Sequence, residues 1–222
     1  MKRCHLIHGI NEGLTDPSWP WDFVGHSLNK GISAFFQTEH YWAGPTPIWN
    51  HLVTNPKYGK ALAKREILFQ QRNLSPIYIA AHSNGTNIAM HMIRELARVG
   101  IGIEKFLLFG STIHSDVEKS GLTELPVGQC IAYCSPKDNV AKYLQSTPKF
   151  YGSLGARGFE RNGKPTGTKT KGFTPLKDLT WGDERHKYVT RWFPDFGHPD
   201  WFAKSVSELT FDCMLEDFGL NK

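Results

Sequence analysis

Long apolar runs and cysteines with the paired spacing of a metal site are both missing from this sequence of 222 residues. No stretch suggests a transmembrane span, and no apolar segment with a small-residue cleavage site precedes the strand-like start, Met1 to Ile10. The four cysteines lack the spacing of a metal site, and Cys4, Cys130 and Cys134 lie in apolar, strand-like runs. We therefore expect a cytoplasmic protein without a secretory signal, whose thiols are reduced, small core residues.

The sequence also lacks the features that indicate nucleic-acid binding, internal repeats or several domains. The formal net charge is +5, but the basic residues are spread along the chain except in one segment, and there is no aromatic RNP pattern. Hydrophobic residues make up 40% and charged residues 21%, as in ordinary soluble globular proteins. We therefore expect no nucleic-acid partner and a single domain over residues 1–222, while the oligomeric state stays open.

The most informative stretch is an apolar run that stops abruptly at a serine. Ile77 to Ala81 is typical of a buried strand, and His82-Ser83-Asn84-Gly85 is typical of a tight turn. A helical pattern of apolar residues follows at Ile88, Ala89, Met92, Ile93, Leu96 and Ala97. Because Ala81 and Gly85 are small, the strand and the helix on either side of Ser83 can pass closely. The serine is equally compatible with an ordinary helix N-cap.

Strand-like and helix-like segments alternate along the rest of the chain. The strand-like segments are Arg3 to His8, Gly31 to Thr38, Glu104 to Phe109, Gln129 to Cys134 and His186 to Phe193. The helix-like segments begin near Trp21 and Tyr58, at the capping-box sequence Ser115 to Glu118, at Asn139, and after Phe202, with the last reaching about Phe218. This alternation predicts an α/β fold with a mostly parallel sheet covered by helices on both faces. In such sheets functional side chains gather at the carboxyl ends of the strands.

Two polar residues stand where later strands end. Asp138 lies four residues past the predicted strand that ends at Cys134, and His198 follows the last predicted strand. Asp138 also fits the N-cap of a helix over 139–144, and the two roles are compatible. Both residues are therefore candidates to join Ser83 at one edge of the sheet.

Other ionisable side chains are alternatives to this pair or lie next to the candidate residues. Asp116 is the alternative to Asp138, and His114 and His186 are the alternatives to His198. Asp195 and Asp200 flank His198, and His82 precedes Ser83. The capping-box context of Asp116 explains that residue without catalysis, and His186 starts a strand. We expect Asp195 or Asp200 to steady the histidine loop. His82 is expected to face the packing surface of the sheet and to be structural.

These features together resemble the α/β-hydrolase superfamily, in particular its small lipases and esterases. The turn around Ser83 is similar to the G-x-S-x-G nucleophile elbow, with Ala81 in place of the first glycine. His8-Gly9 resembles the His-Gly loop of many lipases and esterases. The chain order Ser83, Asp138, His198 is also that of the superfamily.

The resemblance implies a serine hydrolase that cleaves carboxylic esters through an acyl-enzyme. Ser83, His198 and Asp138 would be the nucleophile, the base and the acid, and the backbone N–H groups of Ile10 and Asn84 would form the oxyanion hole. It implies no metal and no organic cofactor, and a small-molecule or lipid-like ester as substrate. Thioesterase, peptidase or acyltransferase activity on the same site, or a non-catalytic module that binds lipid or a partner, are the alternatives.

Two further segments have more than one interpretation. Trp19, Trp21 and Phe23 either line a substrate cleft or pack into the core. Residues 150–180 are rich in glycine and hold six Lys or Arg residues against two acidic residues, so we expect a basic surface excursion with little regular structure near one side of the cleft. Its charges are either those of an ordinary solvated loop or a device that steers an anionic substrate.

Overall fold

In the part of the chain that the structure describes, seven strands form one sheet in which every neighbouring pair runs parallel. The computed structural model describes residues 1–10, 19–39, 41, 49–144, 151–172 and 184–220. The strands are β1 (Arg3–Ile7), β2 (Phe35–Glu39), β3 (Ile77–His82), β4 (Ile103–Phe109), β5 (Val127–Cys134), β8 (Thr168–Lys171) and β9 (Tyr188–Trp192), in the order β2-β1-β3-β4-β5-β9-β8. A separate antiparallel pair consists of β6 (Glu160–Arg161) and β7 (Lys164–Pro165). The predicted α/β fold with a mostly parallel sheet is thus confirmed.

Helices connect the strands and cover both faces of the sheet. They are α1 (Trp19–Asn29), α2 (Asn55–Gln70), α3 (Gly85–Ala97), α4 (Asn139–Leu144), α5 (Leu154–Arg157), α6 (Glu184–Lys187) and α7 (Ser207–Asp217), with a π-helix at Asn50–Thr54 and 3₁₀ turns at Leu122–Glu124 and Asp200–Phe202. Because strand side chains alternate between faces, Ile79 and Ala81 of β3 pack under α2 and α3. Tyr78 and Ala80 of the same strand pack on the opposite side with α1 and α7. All six residues of β3 are buried, as a central strand covered on both faces requires.

A buried network of charged side chains joins β1 to α2. Glu66 of α2 accepts hydrogen bonds from Arg3, from His5 at 3.0 Å and from Gln70 at 2.8 Å, and His5 also lies 3.4 Å from Glu39. Burial alone would raise the pKa of Glu66, but its hydrogen bonds with His5, Arg3 and Gln70 lower the pKa to about 2. Burial likewise opposes the charge on His5, yet the hydrogen bonds with Glu39 and Glu66 leave its pKa raised. Both groups are therefore favoured in their charged forms.

A second buried ion pair attaches the C-terminal helix to the sheet. Arg191 of β9 donates from Nε to Asp217 Oδ2 of α7 at 2.9 Å, and the Tyr133 hydroxyl of β5 donates to the same carboxylate. The guanidinium and the carboxylate are both fully buried. Such a bidentate pair fixes the direction of α7 across the sheet.

Several observed element boundaries differ from the predicted ones, because the chain makes contacts that the periodicity of apolar residues does not reveal. β2 begins at Phe35 instead of Gly31, since Gly31 and Ile32 donate their N–H groups back to the last turn of α1 and cap that helix. The predicted strand starting at His186 opens with the short helix α6, so β9 begins only at Tyr188. The helix predicted near Tyr58 begins earlier, at Asn55.

The helix predicted at the capping-box sequence 115–118 is wrong. Asp116 Oδ1 does accept the N–H groups of Glu118 and Lys119, as a cap would, at 3.0 and 3.2 Å. The Ser115 hydroxyl instead donates to Glu160 at 3.0 Å, and the chain forms only turns before the 3₁₀ segment. The Ser115 side chain, which a capping box would have bonded to the helix backbone, is thus engaged in a tertiary contact.

Residues 161–172 are partly or fully exposed, as expected of a surface excursion, but the prediction of little regular structure over 150–180 is wrong for its described part, 151–172. That part contains α5, β6, β7 and β8, and residues 151–156 are buried. Gly152 and Gly155 donate their N–H groups to Thr112 and Ser111 at 2.8 Å, so the segment supports the loop that follows β4. Residues 173–180 lie outside the described residues.

All four cysteines are buried and free of disulfide bonds, which confirms their prediction as core thiols. Burial raises the pKa of the Cys4 and Cys130 thiols to about 12, so they stay protonated and unreactive. Among the helices in the described ranges, none combines the length and the apolar character that a membrane crossing needs.

Candidate active site

Ser83 occupies a strained turn between β3 and α3. Its φ of 52° lies in the left-handed region, which a residue with a β-carbon rarely adopts. Hydrogen bonds hold this turn: the Ser83 N–H donates to Phe109 at 3.0 Å, and its carbonyl accepts from the Thr86 hydroxyl at 2.6 Å and the Thr112 hydroxyl at 3.3 Å. This is the backbone geometry of a nucleophile elbow, in which the serine side chain is presented at the end of a strand.

Gly85 allows the elbow to touch the end of β1. A β-carbon at this position would lie 2.4 Å from the His8 carbonyl oxygen and 2.7 Å from that of Ile7. Only glycine fits this contact, because neither backbone atom can move away freely. The contact brings the turn His8-Gly9-Ile10 against the start of α3, beside Ser83.

One histidine connects the serine to an aspartate. His198 Nε2 lies 2.9 Å from Ser83 Oγ, and His198 Nδ1 lies 2.9 Å from both carboxylate oxygens of Asp138. The Asp138 side chain is fully buried, whereas that of His198 is 13% exposed. The three predicted residues therefore meet at the carboxyl edge of the sheet, with the acid inside and the histidine at the surface.

Gly110, directly after β4, leaves room for this contact. Its φ is +48°, and a β-carbon there would lie 3.0 Å from Asp138 Oδ2, from His198 Nδ1 and from the indole nitrogen of Trp201. The absence of a side chain at Gly110 thus allows the Asp138 carboxylate and the His198 imidazole to lie within hydrogen-bond distance of each other. The sequence analysis did not single out this glycine.

Asp138 makes both sets of contacts that its position suggested. Besides contacting His198, its Oδ1 accepts the N–H of Ala141 at 2.8 Å, which caps the start of α4. The rival acid, Asp116, makes a different set of contacts, accepting backbone N–H groups that include that of Asn162 at 2.8 Å. Burial would raise the pKa of Asp116, but these N–H donors lower it. Its carboxylate is therefore used to hold two loops together.

The rival histidines also have other neighbours. His114 Nδ1 accepts the N–H of Asp116 at 3.1 Å, and His186 Nδ1 lies 3.1 Å from the Thr168 hydroxyl. Asp200 accepts the N–H of Gly197, so it steadies the loop before His198 as expected. Asp195 instead forms an exposed ion pair with Lys137 at 3.0 Å.

His82 is the residue whose role sequence reasoning missed. Its Nε2 lies 3.2 Å from the carbonyl oxygen of His198, and the two imidazole rings are 5.0 Å apart. Phe202 packs edge-on against His82 at 5.5 Å. His82 is buried as predicted, but it contacts the loop of the candidate base and does more than pack against the sheet.

The two predicted oxyanion donors belong to the two segments that meet at Gly85. Asn84 follows the serine at the start of α3, and Ile10 ends the turn that contacts Gly85. In the described part of the chain, the backbone N–H groups of Ile10 and Asn84 donate to no protein acceptor. They therefore remain available for an oxyanion, as the first N–H groups of a helix commonly are.

The tryptophans predicted as possible substrate contacts divide between core and surface. Trp19 is buried and stacks on Phe202 with ring centroids 4.3 Å apart, so it takes the alternative role of core packing. Trp21 is 52% exposed on α1, and its contact with substrate stays a prediction. In the ranges that the structure describes, no three His, Cys, Asp or Glu side chains are grouped so that they could hold a metal ion.

A family model described as alpha/beta hydrolase of unknown function (DUF900) matches residues 59–178, more than half of the chain. The matched range includes Ser83 and Asp138 and ends before His198. None of the curated proteins compared with this chain matches it significantly.

Solved structures with the same fold are distant in sequence. An uncharacterized protein from Bacillus cereus ATCC 10987 superposes with a TM-score of 0.56 at 11% identity, over 99% of this chain and 60% of that chain. This chain therefore spans 60% of the length of that protein. The NocB thioesterase domain from the nocardicin cluster gives 0.52 at 13% identity, over 99% and 95% of the two chains. Est1E from Butyrivibrio proteoclasticus, solved with ferulic acid bound, gives 0.51 at 11% identity, over 99% and 90%. Identities this low show the fold alone.

Proposed function

Since the chain belongs to the family of alpha/beta hydrolases of unknown function, we propose that it is a serine hydrolase that cleaves carboxylic esters through an acyl-enzyme. One observation carries the proposal: a single imidazole, that of His198, lies 2.9 Å from Ser83 Oγ on one side and 2.9 Å from Asp138 on the other. The φ of 52° at Ser83 supports the same assignment, because strain of this kind is concentrated at functional sites.

The chemical steps follow from these contacts. Neutral His198 takes the proton of the Ser83 hydroxyl as that oxygen attacks the ester carbonyl, and Asp138 stabilises the imidazolium that results. The N–H groups of Ile10 and Asn84 would stabilise the negative charge on the tetrahedral intermediate. His198 then protonates the leaving alcohol, and the acyl group stays on Ser83. Water, deprotonated by His198, releases the acid and regenerates the serine.

The substrate in this proposal is a small-molecule or lipid-like ester. Thioesters, amides and transfer of the acyl group to another acceptor require the same steps, so the comparison of substrates decides among them. A non-catalytic module that binds lipid or a partner is the alternative from another class. A non-catalytic module would not require the His198 imidazole to contact both Ser83 and Asp138, so these contacts favour the enzyme.

A panel of esters, thioesters and amides of varied acyl length, assayed on the wild type and on Ser83→Ala, tests the proposal. We expect ester turnover by the wild type and a loss in kcat on the order of 10⁴ to 10⁶ in Ser83→Ala. Asp138→Asn should lose roughly 10⁴-fold, while the matched Asp116→Asn should stay close to the wild type. Ser83→Ala activity within tenfold of the wild type contradicts the mechanism. The opposite ranking of the two aspartate variants would mean that the acid is Asp116.

A further inference from the structure

The side chain of Asn84, next to the candidate nucleophile, is engaged in a buried amide pair. Asn55 Nδ2 donates to Asn84 Oδ1 at 3.0 Å, and Asn84 Nδ2 donates to Asn55 Oδ1 at 2.9 Å. Asn84 precedes the first residue of α3, where asparagine commonly caps its own helix, but its side chain makes no capping hydrogen bond. The pairing with α2 has replaced the local cap.

The Asn55 side chain is likewise not needed to cap its own helix. It is the first residue of α2, but the π-helix Asn50–Thr54 runs directly into it, so this is not an open helix end that needs a cap. Asn55 is 0% exposed and Asn84 is 2% exposed. A buried amide that loses its partner costs about 1 to 3 kcal/mol, so the pair strongly favours one position of the Asn84 side chain.

Two tyrosine hydroxyls reach the same amide. Asn84 Nδ2 donates to the Tyr41 hydroxyl at 3.3 Å, and the Tyr151 hydroxyl donates to Asn84 Oδ1 at 3.4 Å. Burial raises the pKa of Tyr151 to about 12, which keeps that hydroxyl protonated and able to donate. These bonds are longer than those of the amide pair, and we expect them to contribute less.

Tyr41 also connects Asn84 to the other side of the site. Its ring stacks on the imidazole of His8, with centroids 4.9 Å apart and planes 12° apart. His8 begins the turn that ends at Ile10. A chain of contacts therefore runs from His8 through Tyr41 to Asn84 and Asn55, and it links the two segments that carry the backbone N–H groups of Ile10 and Asn84.

We propose that Asn55 and Tyr41 are positioning residues that hold the backbone N–H groups of Asn84 and Ile10 in the geometry required to bind an oxyanion. The inference rests on the proposed serine hydrolase function. Oxyanion donors act only when they point at the place where charge develops, and a displacement of about 1 Å can cost about 100-fold in rate. Asn55 acts through Asn84, and Tyr41 acts through both segments.

The experiment compares three variants with the wild type. Asn55→Leu removes the amide pair with little change in size, and Tyr41→Phe removes one oxygen and keeps the ring on His8. Gln70→Leu is the matched control, since Gln70 is a buried amide on the same helix that donates to Glu66 and Ser75, 15 residues from Asn55. The measurements are kcat and KM for the best ester, and inhibition constants for a boronic acid and for the non-hydrolysed amide analogue of that ester. The boronic acid mimics the tetrahedral intermediate, and the amide reports ground-state binding.

We expect Asn55→Leu to lower kcat by about 10- to 100-fold and Tyr41→Phe by about 3- to 10-fold. Boronic acid affinity should fall in parallel, while KM and amide inhibition stay within about threefold, because only the developing charge is affected. Gln70→Leu should lose stability and keep its kcat.

Three results would overturn the inference while the wild type and Ser83→Ala behave as proposed. They are unchanged kcat in folded Asn55→Leu and Tyr41→Phe, weaker amide binding with unchanged boronic acid affinity, or an equal loss of kcat in Gln70→Leu. If Asn55→Leu does not fold, Tyr41→Phe decides alone, because it lacks a single hydroxyl. A wild type without ester turnover overturns the proposed function, and the oxyanion role falls with it.

Discussion

Ser83 bears a conformational cost that the surrounding side chains offset. A residue with a β-carbon in the left-handed region is strained by roughly 1 to 2 kcal/mol. The Thr86 and Thr112 hydroxyls, which both donate to the Ser83 carbonyl, are buried and supply hydrogen bonds of comparable size. These two threonines therefore belong to the site even though neither takes part in the proposed chemistry.

Gly110→Ala should damage activity much more than stability. Its β-carbon would press on Asp138 and His198 at 3.0 Å, and we expect kcat to fall by about 100-fold or more with a loss of about 1 to 2 kcal/mol in unfolding free energy. Gly100→Ala is the matched control, because Gly100 has a φ of +75° but nothing within 4 Å of the added carbon. Steady-state kinetics and urea unfolding of both variants check the prediction. Equal effects on kcat would show that strain alone, without pressure on the candidate triad, explains the loss.

The candidate catalytic residues were easier to predict from the sequence than the residues that hold them in place. Ser83, Asp138 and His198 could be found because each follows a strand in an order that resembles a known family. Gly110 and the pairing of Asn55 with Asn84 could not, because they depend on contacts between residues at least 28 positions apart in the sequence. No local pattern distinguishes such an asparagine from one on a surface.

Helix α2 is held on the sheet by charges as well as by apolar packing. We expect Glu66→Gln to lower the free energy of unfolding by about 3 to 5 kcal/mol, because Arg3 and His5 would keep buried charges without their common partner. Glu95→Gln on α3 is the control, since Glu95 pairs with the exposed Arg98 and its loss should change stability by less than about 1 kcal/mol. Urea unfolding at pH 6 measures both. Equal small effects would show that the network adds little to stability.

The same network makes a pH-dependent contribution whose sign can be stated. The pKa of His5 is raised on folding, so its contribution is complete below the unfolded value of about 6.5 and is lost as the pH rises through the folded value. The pKa of Glu66 is lowered from 4.5 to about 2, so its contribution is present above 4.5 and is lost as the pH falls toward 2. The stability difference between the wild type and Glu66→Gln should therefore be largest between about pH 4.5 and 6.5. A difference that grows steadily toward pH 9 would contradict the assigned charges.

Element boundaries were less predictable than the elements themselves. The apolar strands and the amphipathic α3 follow from periodicity because burial on the sheet is what selects their residues. The capping box at 115–118 failed because Ser115 binds Glu160, which lies 45 residues away. The late start of β2, which follows the cap of α1 at Gly31 and Ile32, could have been found from the helix-stop signal that Gly31 provides.

Across the whole molecule, the basic segment has a structural explanation that composition could not provide. Lys169 and Lys171 lie on β8, the last strand of the sheet, and both are exposed. Lysines on an edge strand prevent pairing with another sheet, because a partner strand would have to bury them. Arg157 and Arg161 already pair with Glu160 and Glu118 at 2.9 and 3.4 Å. This favours a protected edge over the steering of an anionic substrate.

Replacing Lys169 and Lys171 by Thr should promote self-association. The substitutions keep strand propensity and remove the charges that oppose edge-to-edge pairing, so light scattering and size-exclusion chromatography should detect larger species than in the wild type. Lys60→Thr with Lys64→Thr, both exposed on α2, provides a control with the same change in net charge. Equal association of the two double variants would attribute the effect to net charge alone. A loss of activity on anionic but not neutral esters in the β8 variant would restore the steering interpretation.

Mass spectrometry of fluorophosphonate-treated protein shows whether Ser83 is a nucleophile that His198 activates. We expect one covalent adduct on the wild type, located on the peptide that contains Ser83, and none on Ser83→Ala. His198→Ala should label at least about 1000-fold more slowly, since the hydroxyl would lack its base. Circular dichroism should show all three proteins folded. A folded wild type that stays unlabelled, or an adduct that persists in Ser83→Ala, would rule out Ser83 as the nucleophile.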